Sequence, residues 1–176
     1  MTDDKNPAEF PRPIDLRYLE EGPLTLTASP EECAALARRF ALVAVHALEA
    51  ELVVARQGTR VLANGRLRAR IVQSCAVSAE DLPVTIDEAM ALAFVPEAEL
   101  AAPVPDEEIE LDEADCDLIP FAGSRIDLGE AVAQSLALAI DPFLTGPEAE
   151  TVRASGLLGA EEESPFAALK GLNLKK

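Results

Sequence analysis

The chain has 176 residues, 49% of them apolar, with 15 basic and 32 acidic side chains and a net charge of −17. The apolar share supports a core of one-domain size and excludes disorder throughout, but 31 of these residues are alanine and tryptophan is absent, so the core is aliphatic and small in volume. The charge opposes holding DNA or RNA by field alone, and no stretch approaches 18 uncharged apolar residues, so no membrane-spanning helix is expected.

Residues 1–9 are polar and expected to be disordered, with neither the basic nor the apolar region of a secretory signal. Arg12–Leu19 alternates in places and reads as an edge strand with its prolines at the start, and Leu24–Thr27 as a second short strand. Ser29-Pro30-Glu31-Glu32 is the clearest local signal. Ser29 is an N-cap, Pro30 suits the first helical position, and Glu32 completes a capping box. A helix is expected over Pro30–Leu42, burying Cys33, Leu36, Ala37 and Phe40.

Leu48–Gln73 reads as a long hairpin turning at Gln57-Gly58-Thr59. Leu48, Ala50, Leu52 and Val54 share one face of its first strand, while Leu67, Ala69 and Ile71 lie opposite Arg66, Arg68 and Arg70 in the second. Pairing symmetrically about Gly58 mismatches those faces. One extra residue at Asn64-Gly65 brings Glu51 opposite Arg66 and Glu49 opposite Arg68, so a β-bulge is expected there.

Val84–Val95 is a further strand region with a helical piece around Glu88–Met90. An acidic loop follows over 97–117, then a strand at about Asp117–Phe121 and a turn at Gly123. The second firm helix is Asp127–Ile140, with Asp127 as cap, Glu130 completing the box, and Leu128, Val132, Leu136 and Ile140 as its buried stripe. Thr145–Glu163 is rich in Gly, Glu and Ala and expected to be mobile, and Ser164–Gly171 holds a short helix at 165–170. The expectation is one α+β domain over 10–144 and a flexible tail over 145–176. Its twisted antiparallel sheet closes in part toward a barrel and is covered by two helices.

Charge is unevenly placed. Residues 1–70 balance ten basic against ten acidic groups, whereas 71–124 hold 14 acidic groups and no Lys or Arg. Ten acids fall between Glu97 and Asp117, including Asp106, Glu107, Glu108, Glu110, Asp112 and Glu113. Such a run either stays solvated or docks a basic partner. The concentrated basic feature is Arg66, Arg68 and Arg70, with Arg56 and Arg60 nearer the turn. These arginines either form a salt-bridge ladder with Glu49 and Glu51 or contact phosphates, but no aromatic residues interleave to stack bases.

The single histidine, His46, reads as a core or boundary residue, and no P-loop, G-x-S-x-G or Gly-rich dinucleotide loop occurs. Glu113–Leu118 resembles the start of a calcium loop but has Leu118 where Gly is required and Ser124 where the bidentate Glu belongs. Cys33, Cys75 and Cys116 are odd in number and scattered, which fits a reducing compartment and neither a disulfide framework nor a zinc site. No metal or other cofactor is expected.

Three segments in order carry a resemblance. They are Leu62–Cys75, a strand leading into a cysteine; Arg125–Pro142, with its Ile-Asp-Leu helix start; and Ser164-Pro165-Phe166-Ala167-Ala168-Leu169. Together they resemble the YceD family, the large ribosomal RNA accumulation proteins, over about Phe10 to Leu172. Many members carry Cys-x-x-Cys where this chain has Cys75-Ala76-Val77-Ser78, so a metal role does not transfer. The resemblance implies a cytoplasmic, non-enzymatic factor supporting 23S ribosomal RNA. The partner best matched to the acidic block is a basic ribosomal protein or an RNA-processing enzyme, docked through 97–117. Direct RNA binding through Arg56, Arg60, Arg66, Arg68 and Arg70 is the alternative. An enzyme using Asp112, Asp115 and Asp117 is a remote third, for want of partner groups.

Overall fold

The computed structural model describes residues 8–100 and 118–155. It divides into two compact units, one running to Gln73 and over Pro83–Asp141, the other comprising Ser74–Leu82 and the chain from Pro142. In the first, β1 (Pro13–Asp15) pairs antiparallel with β7 (Arg125–Asp127), Ile14 opposite Ile126. The expected strand over Arg12–Leu19 stops at Asp15, because the Asp15 side chain accepts the Arg17 N–H and starts a 3-10 turn over Leu16–Tyr18. The larger sheet has the order β2 (Gly22–Thr27), β3 (Ala44–Gln57), β4 (Arg60–Ser74), β5 (Asp81–Pro96), β6 (Leu118–Phe121).

β2, β3 and β4 pair antiparallel in succession, but β6 runs parallel to β5. The sheet is open, so the expected closure toward a barrel does not occur. β2 and β6 are 6 and 4 residues long against 14 to 16 in the central strands, and each edge carries a proline, Pro23 or Pro120, which cannot donate to another strand.

The capping box of α1 (Pro30–Arg39) is complete. Ser29 Oγ accepts the Glu32 N–H at 3.2 Å, and the Glu32 carboxylate accepts the Ser29 N–H at 2.8 Å. The helix ends before Leu42 because Ala41 turns left-handed (φ 53°) and the Leu42 N–H returns to the Ala37 carbonyl at 2.9 Å. α3 (Leu128–Ala139) is capped by Asp127, whose carboxylate accepts the N–H of Glu130 at 3.1 Å and of Arg12 at 2.8 Å. Glu130 does not supply the other half of the expected box; its carboxylate takes Arg39 and Gln134 instead. Leu128, Val132 and Leu136 of α3 join Leu36, Leu48, Leu52, Leu67, Ile71 and Phe94 in one buried core.

The β3–β4 ladder is regular through Val53–Asn64 and Leu52–Gly65, so there is no bulge at Asn64-Gly65. The hairpin is centred between Gly58 (φ 64°) and Thr59 rather than on Gly58, which matches the two faces without an insertion. Glu51 still faces Arg66 and Glu49 faces Arg68. Gly65 is needed for a different reason: a Cβ there would lie 1.9 Å from the Glu51 carbonyl oxygen of the neighbouring strand. The ladder shifts instead between Val45 and Ala47, leaving His46 unpaired and exposed, outside the core. β5 continues through Glu88–Met90, where a helical piece was expected, because pairing within the sheet overrides local propensity and buries Ile86 and Met90.

In the second unit, the Cys75 N–H meets the Glu80 carbonyl at 2.8 Å and the Ala76 N–H meets Leu144 at 2.9 Å. Within the stretch expected to be mobile, Ala149–Ala154 forms α4. The expected helix at 165–170 lies outside the described residues. No described helix is long and apolar enough to cross a membrane.

Candidate functional site

The five arginines singled out in the sequence do not form one stripe. Arg66, Arg68 and Arg70 point to the same exposed face of β4, as period two requires. Arg60 leaves them for α2 (Glu97–Leu100), where its Nε meets the Glu99 carboxylate at 3.2 Å. Thr59 also hydrogen-bonds Glu99, and these two donors hold that carboxyl below its ordinary pKa. Arg56 donates to the Leu16 carbonyl oxygen and so ties the hairpin to the 3-10 turn.

Carboxylates meet the remaining three. Arg66 Nε lies 2.5 Å from Asp87 of β5, and Arg68 lies 2.9 Å from Glu51 of β3 and 4.0 Å from Asp87. Glu51 stands directly opposite Arg66 but bonds Arg68, a diagonal contact that the reach of an arginine permits. Arg70 has no ion-pair partner among the described residues. Three guanidinium groups thus share a face with three carboxylates, Glu49, Glu51 and Asp87, and these six charges cancel. Asp87 was missed in the sequence, since only the placement of β5 beside β4 brings it there.

Two other arginines of the N-terminal half, Arg12 and Arg39, are structural. Arg12 holds Glu32 at 2.7 and 2.9 Å and stacks 4.2 Å above the Phe10 ring. Arg39 bridges Glu9 at 2.9 Å and Glu130 at 2.6 Å, which lowers the Glu130 pKa and raises its own.

Of the acidic block, Glu97 and Glu99 are exposed on α2. Asp106, Glu107, Glu108, Glu110, Asp112 and Glu113 lie outside the described residues, as do Asp115 and Asp117 of the carboxylate-enzyme reading. The chain returns at β6, with Leu118 opposite Ala93 and Ile119 opposite Phe94.

Sequence reasoning also missed the surroundings of Cys75. Its buried sulfur accepts the N–H groups of Val77 at 3.4 Å, Ser78 at 3.3 Å and Gly146 at 3.3 Å. The Ser78 hydroxyl and these donors lower its pKa to about 7 by favouring the thiolate. Burial pushes the Cys33 thiol the other way. No group of three or more His, Cys, Asp or Glu side chains converges to hold a metal among the described residues.

A family model described as "Large ribosomal RNA subunit accumulation protein YceD" matches residues 63–173. The match takes in most of β4 with its three arginines, the acidic block, α3 and the Ser164–Leu169 segment. No curated protein and no solved structure matches the chain.

Proposed function

The chain belongs to the YceD family of large ribosomal RNA subunit accumulation proteins, and on that premise we propose that it supports 23S ribosomal RNA and large-subunit biogenesis as a cytoplasmic, non-enzymatic factor. It acts by docking a basic ribosomal protein or RNA-processing protein through the acid-rich residues 97–117.

The observation that supports docking over direct RNA binding is the state of the arginine face. Arg66 and Arg68 are already engaged by Asp87 and Glu51, so a phosphate would have to compete with a carboxylate at each. The acidic block has no comparable compensation in sequence, because residues 71–124 contain no Lys or Arg. Its field attracts cationic surfaces and steers their approach. Carboxylate catalysis has less support, since the sequence sets no histidine and no P-loop or Gly-rich loop beside Asp112, Asp115 and Asp117.

Two variants separate docking from RNA binding in an assay of 23S ribosomal RNA accumulation. Replacing Asp106, Glu107, Glu108 and Glu110 by Asn and Gln is expected to reduce accumulation and to slow partner association more than it speeds dissociation. Replacing Arg66, Arg68 and Arg70 by Gln is expected to leave accumulation intact. A wild-type result for the first together with a loss for the second, both proteins folded, refutes docking and establishes the RNA reading through Arg70 and its neighbours.

A further inference from the structure

A hollow of about 380 Å³ opens between β6 and the first turns of α3. Phe94 of β5 forms its floor, Ile119 and Phe121 of β6 its walls, and Glu97, Arg125 and Gln134 its rim. Phe94 is buried, whereas Ile119 and Phe121 are only half-buried, so an apolar surface is left with incomplete cover. The volume is at the lower end of the range of ligand pockets, about 300–1,000 Å³, and suits one large side chain better than a cofactor.

Charge and connectivity identify what fills it. Glu97 on the rim opens the run of ten acids, and Ile119 in the wall follows its last member, Asp117, by two positions. The acidic block is therefore joined in sequence to the hollow at both ends, and its charge draws a cationic chain toward this part of the surface. Two more rim carboxylates are committed within the fold, Glu130 to Arg39 and Asp127 to the cap of α3. Glu97 is exposed and has no ion-pair partner among the described residues. Arg125 opposes positive charge at its own side of the mouth, so the partner's basic residues lie on the Glu97 side.

We propose that this hollow is the anchoring socket for one aromatic or long aliphatic side chain of the basic partner, flanked in that partner by Lys or Arg. The acids supply long-range attraction and the socket supplies residence, in the usual division between steering and a buried anchor. The inference rests on the acidic-docking reading of the function.

The test titrates the full chain with two fluorescein-labelled synthetic 12-residue peptides, identical in their Lys and Arg but carrying Trp or Ala at the centre. Anisotropy at about 0.1 M salt gives the affinities. The Trp peptide is expected to bind the wild-type chain about tenfold more tightly, equivalent to about 1.4 kcal/mol. Ala122→Trp places a ring at the mouth from an exposed lining position, and Phe121→Ala removes a wall. Each is expected to reduce the tenfold gap to less than threefold, with folding checked by circular dichroism. Neutralising Asp106, Glu107, Glu108 and Glu110 is expected to weaken both peptides and preserve the gap. A gap absent from the wild type, or unchanged in both folded socket variants, overturns the socket and leaves acidic docking standing. Unchanged affinity for both peptides after acid neutralisation overturns acidic docking, and the socket's partner with it.

Discussion

Converting Glu49, Glu51 and Asp87 to Gln, Gln and Asn leaves Arg66, Arg68 and Arg70 with an excess of three positive charges that these carboxylates otherwise cancel. The ion pairs lost are exposed: the side chains of Arg66, Arg68, Glu51 and Asp87 are each about half accessible to solvent. Pairs of this kind contribute about 0.2–1 kcal/mol each, so losing the two close ones costs less than about 2 kcal/mol and leaves the fold intact. The electrostatic consequence is larger. Each cation that neutralises a single-strand phosphate adds about −0.7 to the slope of log affinity against log salt, so three freed arginines give about −2. Between 50 and 200 mM salt that slope corresponds to a loss of roughly twentyfold. The assay is fluorescence anisotropy with a labelled unstructured RNA at several salt concentrations. The wild type is expected to show a slope near zero and the triple variant a slope near −2. If the wild type already has a slope near −2, and Arg66→Gln, Arg68→Gln and Arg70→Gln together abolish it, the carboxylates do not mask the arginines and the reasoning fails.

Gly65→Ala should be far more damaging than its size suggests, because the new Cβ would meet backbone atoms at 1.9, 2.8 and 2.9 Å that cannot rotate away. A loss of about 3 kcal/mol, or roughly 6–12 °C in thermal melting, is expected. Equal melting of Gly65→Ala and the exposed neighbour Asn64→Ala would show that the strands are not in close approach there. For Cys75, with Cys33 and Cys116 replaced by Ser, thiolate absorbance near 240 nm should titrate with a midpoint at about 7. Ser78→Ala should move the midpoint back up toward the ordinary thiol value of 9.0, since the Ser78 hydroxyl is the largest cause of the depression. The folded pKa is the lower one, so this group's contribution to stability is present above pH 9 and fades as the pH falls through 7. A midpoint near 9 in the parent would sink this assignment.

Local chemistry was legible where it was self-contained. The Ser29–Glu32 box and the Asp127 cap involve side chains within one turn of their own backbone, and both stand as the sequence predicts. Strand alternation likewise gave the Glu51–Arg66 and Glu49–Arg68 pairings. The bulge was misplaced because a one-residue error in the hairpin centre has the same effect on facing as an insertion, and the two cannot be separated by pattern alone. Distant partners were not legible. Asp87 reaches Arg66 only through strand order, and Glu130 abandons its box for Arg39, 91 positions away. The Cys75 environment also depends on a distant donor, the Gly146 N–H from 71 positions later.

The join between Arg12 and Asp127 spans 115 positions, and the β1–β7 pairing beside it is of the same order. Synthesis on the ribosome proceeds at about 5–20 residues per second, so roughly 6–23 s separate the emergence of these two segments. During that interval the β3–β4 hairpin, closed by a two-residue turn, has both of its strands in hand. The N-terminal strand has no β7 to pair with, and Phe10 and Leu16 have no α3 to bury them. Folding therefore runs from the middle of the chain outward. Residues 10–16 are among the last secured, and a chaperone or a stalled ribosome would meet this protein with that segment still exposed.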